Sequence, residues 1–240
     1  MYDPSKINTL PLSIKSNVLK ALIALSKYLG IYTEFSTSFK NHGIKWTSGN
    51  SFNAFLNIVN NNHAGLLEWY HKAIAALEPN ERLFLKYCIF SGLRKGECLE
   101  SWNTMINLSR ESRLGEYHNA DISILEHYRF SKFLRHSKNA FVTAVNQEFI
   151  TEISKASPTT DTRIRKRLSR FKVPLRLKEC RSYYATYLRT HGILSEYVDL
   201  FQGRVSKDVF VRNYLKVEDL KALVSQILKV VEDLEQSINK

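Results

Sequence analysis

Four short segments set cationic or nucleophilic residues where a chain turns or a helix begins. The first is Ser91-Gly92-Leu93-Arg94-Lys95-Gly96-Glu97, where Gly92 allows a tight turn and Arg94 follows it. The second is Arg135-His136-Ser137-Lys138, inside a basic stretch. The third is Lys178-Glu179-Cys180-Arg181, whose Lys178 and Arg181 lie three residues apart and share a helix face. The fourth is Gln202-Gly203-Arg204, with Tyr214 ten residues further on. Guanidinium and ammonium groups hold phosphate oxygens through charge-assisted hydrogen bonds. A tyrosine oxygen placed among them is a nucleophile. Each segment alone also has a plain reading. Arg94 is then a surface residue at a helix start, Lys178 and Arg181 a solvated face, and Tyr214 one packing tyrosine among 12.

The charge supports the phosphate reading. The 240 residues carry 35 Lys+Arg against 23 Asp+Glu, a net of +12. Between Arg129 and Arg189 there are 15 basic and 4 acidic residues, a net of +11 in 61 residues. From Leu215 to Lys240 the net is −1. An excess concentrated in one block points to a polyanion, nucleic acid first and an anionic membrane second. Within the block, Lys132, Arg135, Arg163, Arg165, Lys166, Arg167 and Arg170 are the expected phosphate contacts, on DNA if the partner is DNA, since charge alone does not separate a DNA reader from an RNA reader or an enzyme. With 44% hydrophobic and 24% charged residues the chain can build a sizeable core. No apolar run approaches the roughly 18 residues of a membrane helix. The start, MYDPSKINTL, lacks a secretory apolar core. The seven histidines show no metal-ligand spacing, and Cys88, Cys98 and Cys180 form neither a zinc pair nor a disulfide framework. No metal is expected, and a reducing cytosol is the expected compartment.

The elements that must position these residues are mostly helices. Apolar spacing predicts helices over Ile14–Ile31, Ser51–Val59 and Ala64–Leu77. Pro79-Asn80-Glu81 starts another, broken at Ser91-Gly92, and a further helix runs from Arg94 or Lys95 to about Trp102. Asp121–Arg129 and Asn139–Val145 read as strands of a small antiparallel hairpin, with a basic, exposed segment Phe130–Lys138 between them. Ser154–Thr162 is a loop. Helices are expected over Thr162–Arg170, Leu177–His191 and Leu194–Leu200, with a short helix or turn over Lys207–Tyr214. The last, Val217–Ile238, carries Leu220, Val224, Ile227, Val231, Leu234 and Ile238 on one stripe. The fold class is mainly α with a small antiparallel sheet, an α+β arrangement. The Gly- and Asn-containing stretch Asn41–Asn53 separates residues 1–48 from residues 49–240.

Residues 83–97 (LFLKYCIFSGLRKGE) resemble the first arginine box of the tyrosine recombinases, the phage-integrase-like family, with its pattern T/S-G-L/M-R-x-x-E. Residues 178–190 (KECRSYYATYLRT) resemble the second box, H/K-x-x-R followed by A-T-x-L. Residues 200–214 (LFQGRVSKDVFVRNY) resemble the L-x-G-H segment leading to the nucleophilic tyrosine. The intervals, 23 residues from Arg181 to Arg204 and 10 from Arg204 to Tyr214, fit the family, and the match extends over about residues 65–240. Most members have His at the position of Lys178 and His or Trp at that of Arg204. Lys at the first place and Arg at the second is similar to archaeal virus integrases of the fusellovirus type.

The resemblance implies an enzyme that cleaves and rejoins double-stranded DNA at attachment sites through a 3′-phosphotyrosyl link, with neither ATP nor metal. It implies Tyr214 as nucleophile, Arg94, Lys178, Arg181 and Arg204 around the phosphate, and Lys138 as proton donor to the leaving oxygen. Lys132, in a near-duplicate R-x-S-K, is the alternative hairpin lysine. Arg204 has no acceptor and cannot take the Tyr214 proton. That base is unassigned, with Lys178 the weak candidate. Residues 1–48 resemble the tail of a helical DNA-clamping domain and residues 49–240 the catalytic domain. The resemblance further implies a tetramer on DNA, exchange of the C-terminal helix in trans, and a gene carried by a virus, provirus or plasmid and acting in the host cytoplasm. Two other readings use the same residues: a type IB-like topoisomerase, and a DNA-binding regulator that does not cut.

Overall fold

The structure is a computed structural model that describes residues 4–44, 52, 55–56, 65–135, 138–204 and 219–239. Tyr214, His136 and Ser137, and the expected helix or turn over 207–214, lie outside the described residues. The chain divides into two compact units, Met1–Asn62 and His63–Lys240. The boundary expected at 48/49 falls in a stretch of which few residues are described.

In the first unit a 3₁₀ turn, Pro4–Thr9, precedes helix α1 (Leu12–Tyr28). Gly30, at φ 72, ends that helix as expected. Helix α2 (Tyr32–Asn41) was not anticipated from the sequence; none of its residues is fully buried, and its apolar side is short, Phe35 and Phe39 one helical turn apart and only partly covered. Ile7, Leu19 and Ile44 form a small core with Leu22 and Phe39 against it. Of the helix expected over 51–59, only Phe52, Phe55 and Leu56 are described, all helical and exposed.

The second unit is mainly helical. Helix α3 (Leu66–Ala76) buries Leu66, Trp69, Tyr70, Ala73 and Ala76. Helix α4 (Pro79–Ser91) opens with Pro79 in its first turn, where the missing N–H is not needed. Helix α5 (Lys95–Arg110) continues two turns beyond the expected stop near Trp102, because Met105, Ile106 and Leu108 prolong its buried face. A three-stranded antiparallel sheet follows: β1 (His118–Asn119), β2 (Ile124–Glu126) and β3 (Val142–Ala144), in that order. The hairpin register sets Leu125 opposite Thr143. Strand β2 is shorter than the sequence suggested, since Ser123 takes φ 53 and His127–Arg129 closes into a 3₁₀ turn. The segment expected to be exposed between the strands is not wholly so. Phe133, in the 3₁₀ turn Ser131–Phe133, is buried and stacks on Tyr117.

Helix α6 (Gln147–Ser154) is capped by Asn146, whose Oδ1 accepts the Phe149 N–H at 2.8 Å. Helix α7 (Asp161–Arg170), α8 (Leu177–Thr190), α9 (Ser195–Phe201) and α10 (Leu220–Ile238) match the expected elements to within three residues. One core cluster joins α3, α4, α5 and α6 to one side of α8. A second joins the sheet, the other side of α8, α9 and α10. In α10 the buried residues include Leu223 and Val230, while Leu220 and Val231 are only partly covered, so the stripe is rotated slightly from the expected one. Helix α10 seats on its own unit, where Lys86 of α4 pairs with Glu235. Among the described residues no helix is long and apolar enough to cross a membrane.

A buried polar chain crosses the core. The Tyr117 hydroxyl donates to Ser101 Oγ at 2.8 Å, and Ser101 also meets the Tyr87 hydroxyl at 2.6 Å. Since the Tyr117 hydrogen is committed, His127 Nδ1–H is the donor to the Tyr117 oxygen at 2.6 Å. His127 Nε2 then accepts from Thr143 Oγ1 at 2.7 Å. Burial holds the His127 ring neutral and pulls its pKa down to about 3.

Candidate active site

The buried stripe of α8 runs Leu177, Cys180, Arg181, Tyr184, Leu188. An arginine therefore stands where helical periodicity calls for an apolar residue. Arg181 is only 8% exposed. It survives there because two turns from elsewhere in the chain supply carbonyls. Its Nη1 donates to Gly92 O at 2.8 Å and its Nη2 to Gln202 O at 2.7 Å. Gln202 Nε2 returns a bond to Arg181 O at 2.9 Å. Among the described residues, two of its five guanidinium N–H groups find acceptors. Burial, then the positive charges of Arg94 and Arg204, lower the Arg181 pKa to about 10, so it is still charged at neutral pH.

The turn that offers Gly92 O also carries Arg94. Gly92 ends α4 at φ 62, and a Cβ there would collide with the Tyr184 ring. The glycine thus lets the turn press on α8 beside Arg181. Arg94 sits just before α5. Its backbone N–H donates to Glu97 Oε2 at 3.0 Å, and its Nη1 donates to Glu97 Oε1 at 2.7 Å and to Asn139 O at 3.2 Å. Glu97 is 3% exposed. A carboxylate buried that deeply requires cations, and it has two, because Arg135 Nη2 also reaches Oε1 at 2.6 Å.

The third wall is the turn after α9. Gly203, at φ 67, leans on the loop before β3 so closely that a Cβ would overlap the Asn139 carbonyl. Arg204 follows and is exposed, in a loose pair with Asp199 at 3.3 Å. Lys138 is exposed, and its carbonyl accepts Arg135 Nε at 2.9 Å. Lys178 is exposed one helical turn before Arg181. The structure so gathers Arg94, Arg181 and Arg204, with the Lys138 loop against Arg94. Lys132 is engaged elsewhere: its Nζ donates to Thr104 Oγ1 at 2.7 Å and pairs with Glu100 at 2.9 Å, well along α5.

The basic helix α7 adjoins this wall through Lys95, which pairs with Asp161 at 2.9 Å. Its five cations divide in two. Arg163 Nε holds the fully buried Glu81 Oε1 at 3.0 Å, and Arg167 pairs with Glu78 and, at 3.5 Å, with Glu81. These two fasten α7 to the start of α4. Arg165 pairs with Asp161 at 3.2 Å, on the helix's own first turn. Lys166 and Arg170 are exposed and line a shallow basic surface with Thr160 and Thr162.

Three residues of the arrangement had no role assigned from the sequence. Glu97 was legible: an acid three residues after a helix-start residue reaches back to its N–H. Gln202 and Asn139 contribute backbone carbonyls, which no side-chain pattern announces. Among the described residues no group of three or more His, Cys, Asp or Glu is placed to hold a metal. Compared with known proteins, the chain matches no family model, no curated protein and no solved structure.

Proposed function

We propose that the His63–Lys240 unit is a catalytic domain of the tyrosine recombinase type, closest to the fusellovirus-type integrases, that cuts and rejoins duplex DNA at specific sites. The single observation that carries this reading is the tie between Arg181 and Gly92, 89 positions apart, which brings the second arginine to the turn bearing the first. The charges of Arg94 and Arg204 both act on Arg181, so three cations surround one small space.

The chemistry follows from that cluster. The Tyr214 oxygen attacks the scissile phosphorus, its proton passing to water, and a P–O bond to tyrosine forms. The bond from phosphorus to the 5′ oxygen breaks, and that oxygen takes a proton from Lys138 Nζ. Negative charge gathers on the equatorial oxygens, where Arg94, Arg181, Arg204 and Lys178 stabilise it. Arg181 is already locked by two carbonyls and reorganises little as charge develops. Lysines and arginines on α7, Lys166 and Arg170 foremost, lie along the DNA backbone.

The test is incubation with a nicked duplex whose 5′ fragment diffuses away after cleavage. The wild-type chain yields a covalent protein–DNA adduct on a denaturing gel and Tyr214→Phe yields none. A wild type without adduct, or a phenylalanine variant with one, removes the reading.

A further inference from the structure

Arg135 is exposed and stands in the basic loop before β3, where it reads as a DNA contact. Its donors turn inward instead. The backbone N–H donates to Asn139 Oδ1 at 2.7 Å, Nε to the Lys138 carbonyl at 2.9 Å, and Nη2 to Glu97 Oε1 at 2.6 Å. The same Glu97 oxygen receives Arg94 Nη1 at 2.7 Å, and Arg94 Nη1 also reaches the Asn139 carbonyl at 3.2 Å. The contacts close a ring: Arg94, Glu97, Arg135, the Lys138–Asn139 backbone, and Arg94 again.

We infer that Arg135 is a positioning residue for strand cleavage, fixing the Lys138 backbone against the Arg94 turn, and not a DNA contact. The inference rests on the proposed function. Lysine is a compact charge on a flexible four-carbon stem, so its ammonium is located only as well as its backbone is. A reacting group displaced by about 1 Å can cost on the order of a hundredfold in rate. Arg135 is built for this task rather than for phosphate. Its Nε and Nη2 each donate to a protein acceptor, which fixes the guanidinium plane between the Lys138 carbonyl and Glu97. Replacing it does not strand the buried acid, because Arg94 still pairs with Glu97.

The experiment compares the wild type with Arg135→Gln and Lys138→Ala on two DNA substrates. One has the ordinary 5′ oxygen at the scissile bond. The other has a bridging sulfur there, whose thiolate leaves without needing a proton. Single-turnover cleavage and duplex affinity across a salt series are measured. The expected result for Arg135→Gln is an affinity within about twofold of wild type and an unchanged salt slope. Cleavage of the oxygen substrate falls about tenfold or more, since a general acid is worth roughly 10²–10⁴ in rate. Cleavage of the sulfur substrate returns to within about threefold of wild type, as it does for Lys138→Ala. An equal loss on both substrates, an unchanged rate on both, or a weaker affinity with a shallower salt slope overturns the inference. A wild type that cleaves neither substrate overturns the proposed function itself, which separates the two failures.

Discussion

Arg181 and Gly92 are joined by a 2.8 Å hydrogen bond from guanidinium to carbonyl, and Gln202 holds the same guanidinium from the other side at 2.7 Å. One side chain so fastens the turn after α4 and the turn after α9 to α8. An ammonium cannot span the two carbonyls as the planar guanidinium fork does. Arg181→Lys is expected to lose about 1–3 kcal/mol of stability, measured by urea unfolding, because one buried carbonyl loses its partner. Its adduct formation should fall about a hundredfold, the range of a lost oxyanion donor.

Two glycines four residues apart respond oppositely to the same change. Gly92 has φ 62 and faces the Tyr184 ring, so Gly92→Ala should destabilise by about 1–3 kcal/mol or more. Gly96 lies inside α5 with open space around it, so Gly96→Ala should stabilise by about 0.5–1 kcal/mol. Thermal melts of the two variants check both signs.

His127 couples stability to pH. Its folded pKa is lowered to about 3 by burial, against an ordinary value of 6.5, so the unfolded chain binds the proton more readily. The sign follows: its contribution is complete above about pH 6.5 and is lost as pH falls toward about 3. Between pH 6.5 and 4.5 the loss is roughly 2–3 kcal/mol from this residue. Urea unfolding at the two pH values should show it, and His127→Gln should flatten the slope. An equal slope in the variant would remove the assignment.

The cations of α7 should separate in two assays. Arg163→Ala or Arg167→Ala weakens the hold on the buried Glu81 and is expected to cost about 1–3 kcal/mol of stability. Lys166→Ala and Arg170→Ala should leave stability nearly unchanged. Each should lower the slope of log affinity against log salt by about 0.9, one phosphate contact apiece. DNA titrations at several salt concentrations, paired with melts, give both readings.

Much of this architecture was legible in the sequence. The α8 stripe reads plainly at Leu177, Cys180, Tyr184 and Leu188, and Pro79 marks the start of α4. The arginine turn was visible because Gly92 and Arg94 stand together. Less legible were elements whose partners are remote. Strand β1 is two residues long and exists only through its pairing with β2. Helix α6 is eight residues long, and its apolar residues Phe149, Ile150 and Ile153 follow directly on a strand. The division of α7 was also hidden: five cations alike in composition differ only because Glu78 and Glu81 come from another helix. The pairing of Arg135 with Glu97 was hidden for a similar reason, since the two lie 38 positions apart.

Cys88, Cys98 and Cys180 are all buried in the layer beneath the arginines. Burial pushes the thiols of Cys88 and Cys180 well above the ordinary cysteine range. Only thiolates react quickly with alkylating reagents. A maleimide added to the native protein should therefore mark a molecule only when that layer breathes open. The chain carries its own internal chronometer, and the labelling rate, followed by mass spectrometry, counts how often the interior beneath the arginine cluster meets water.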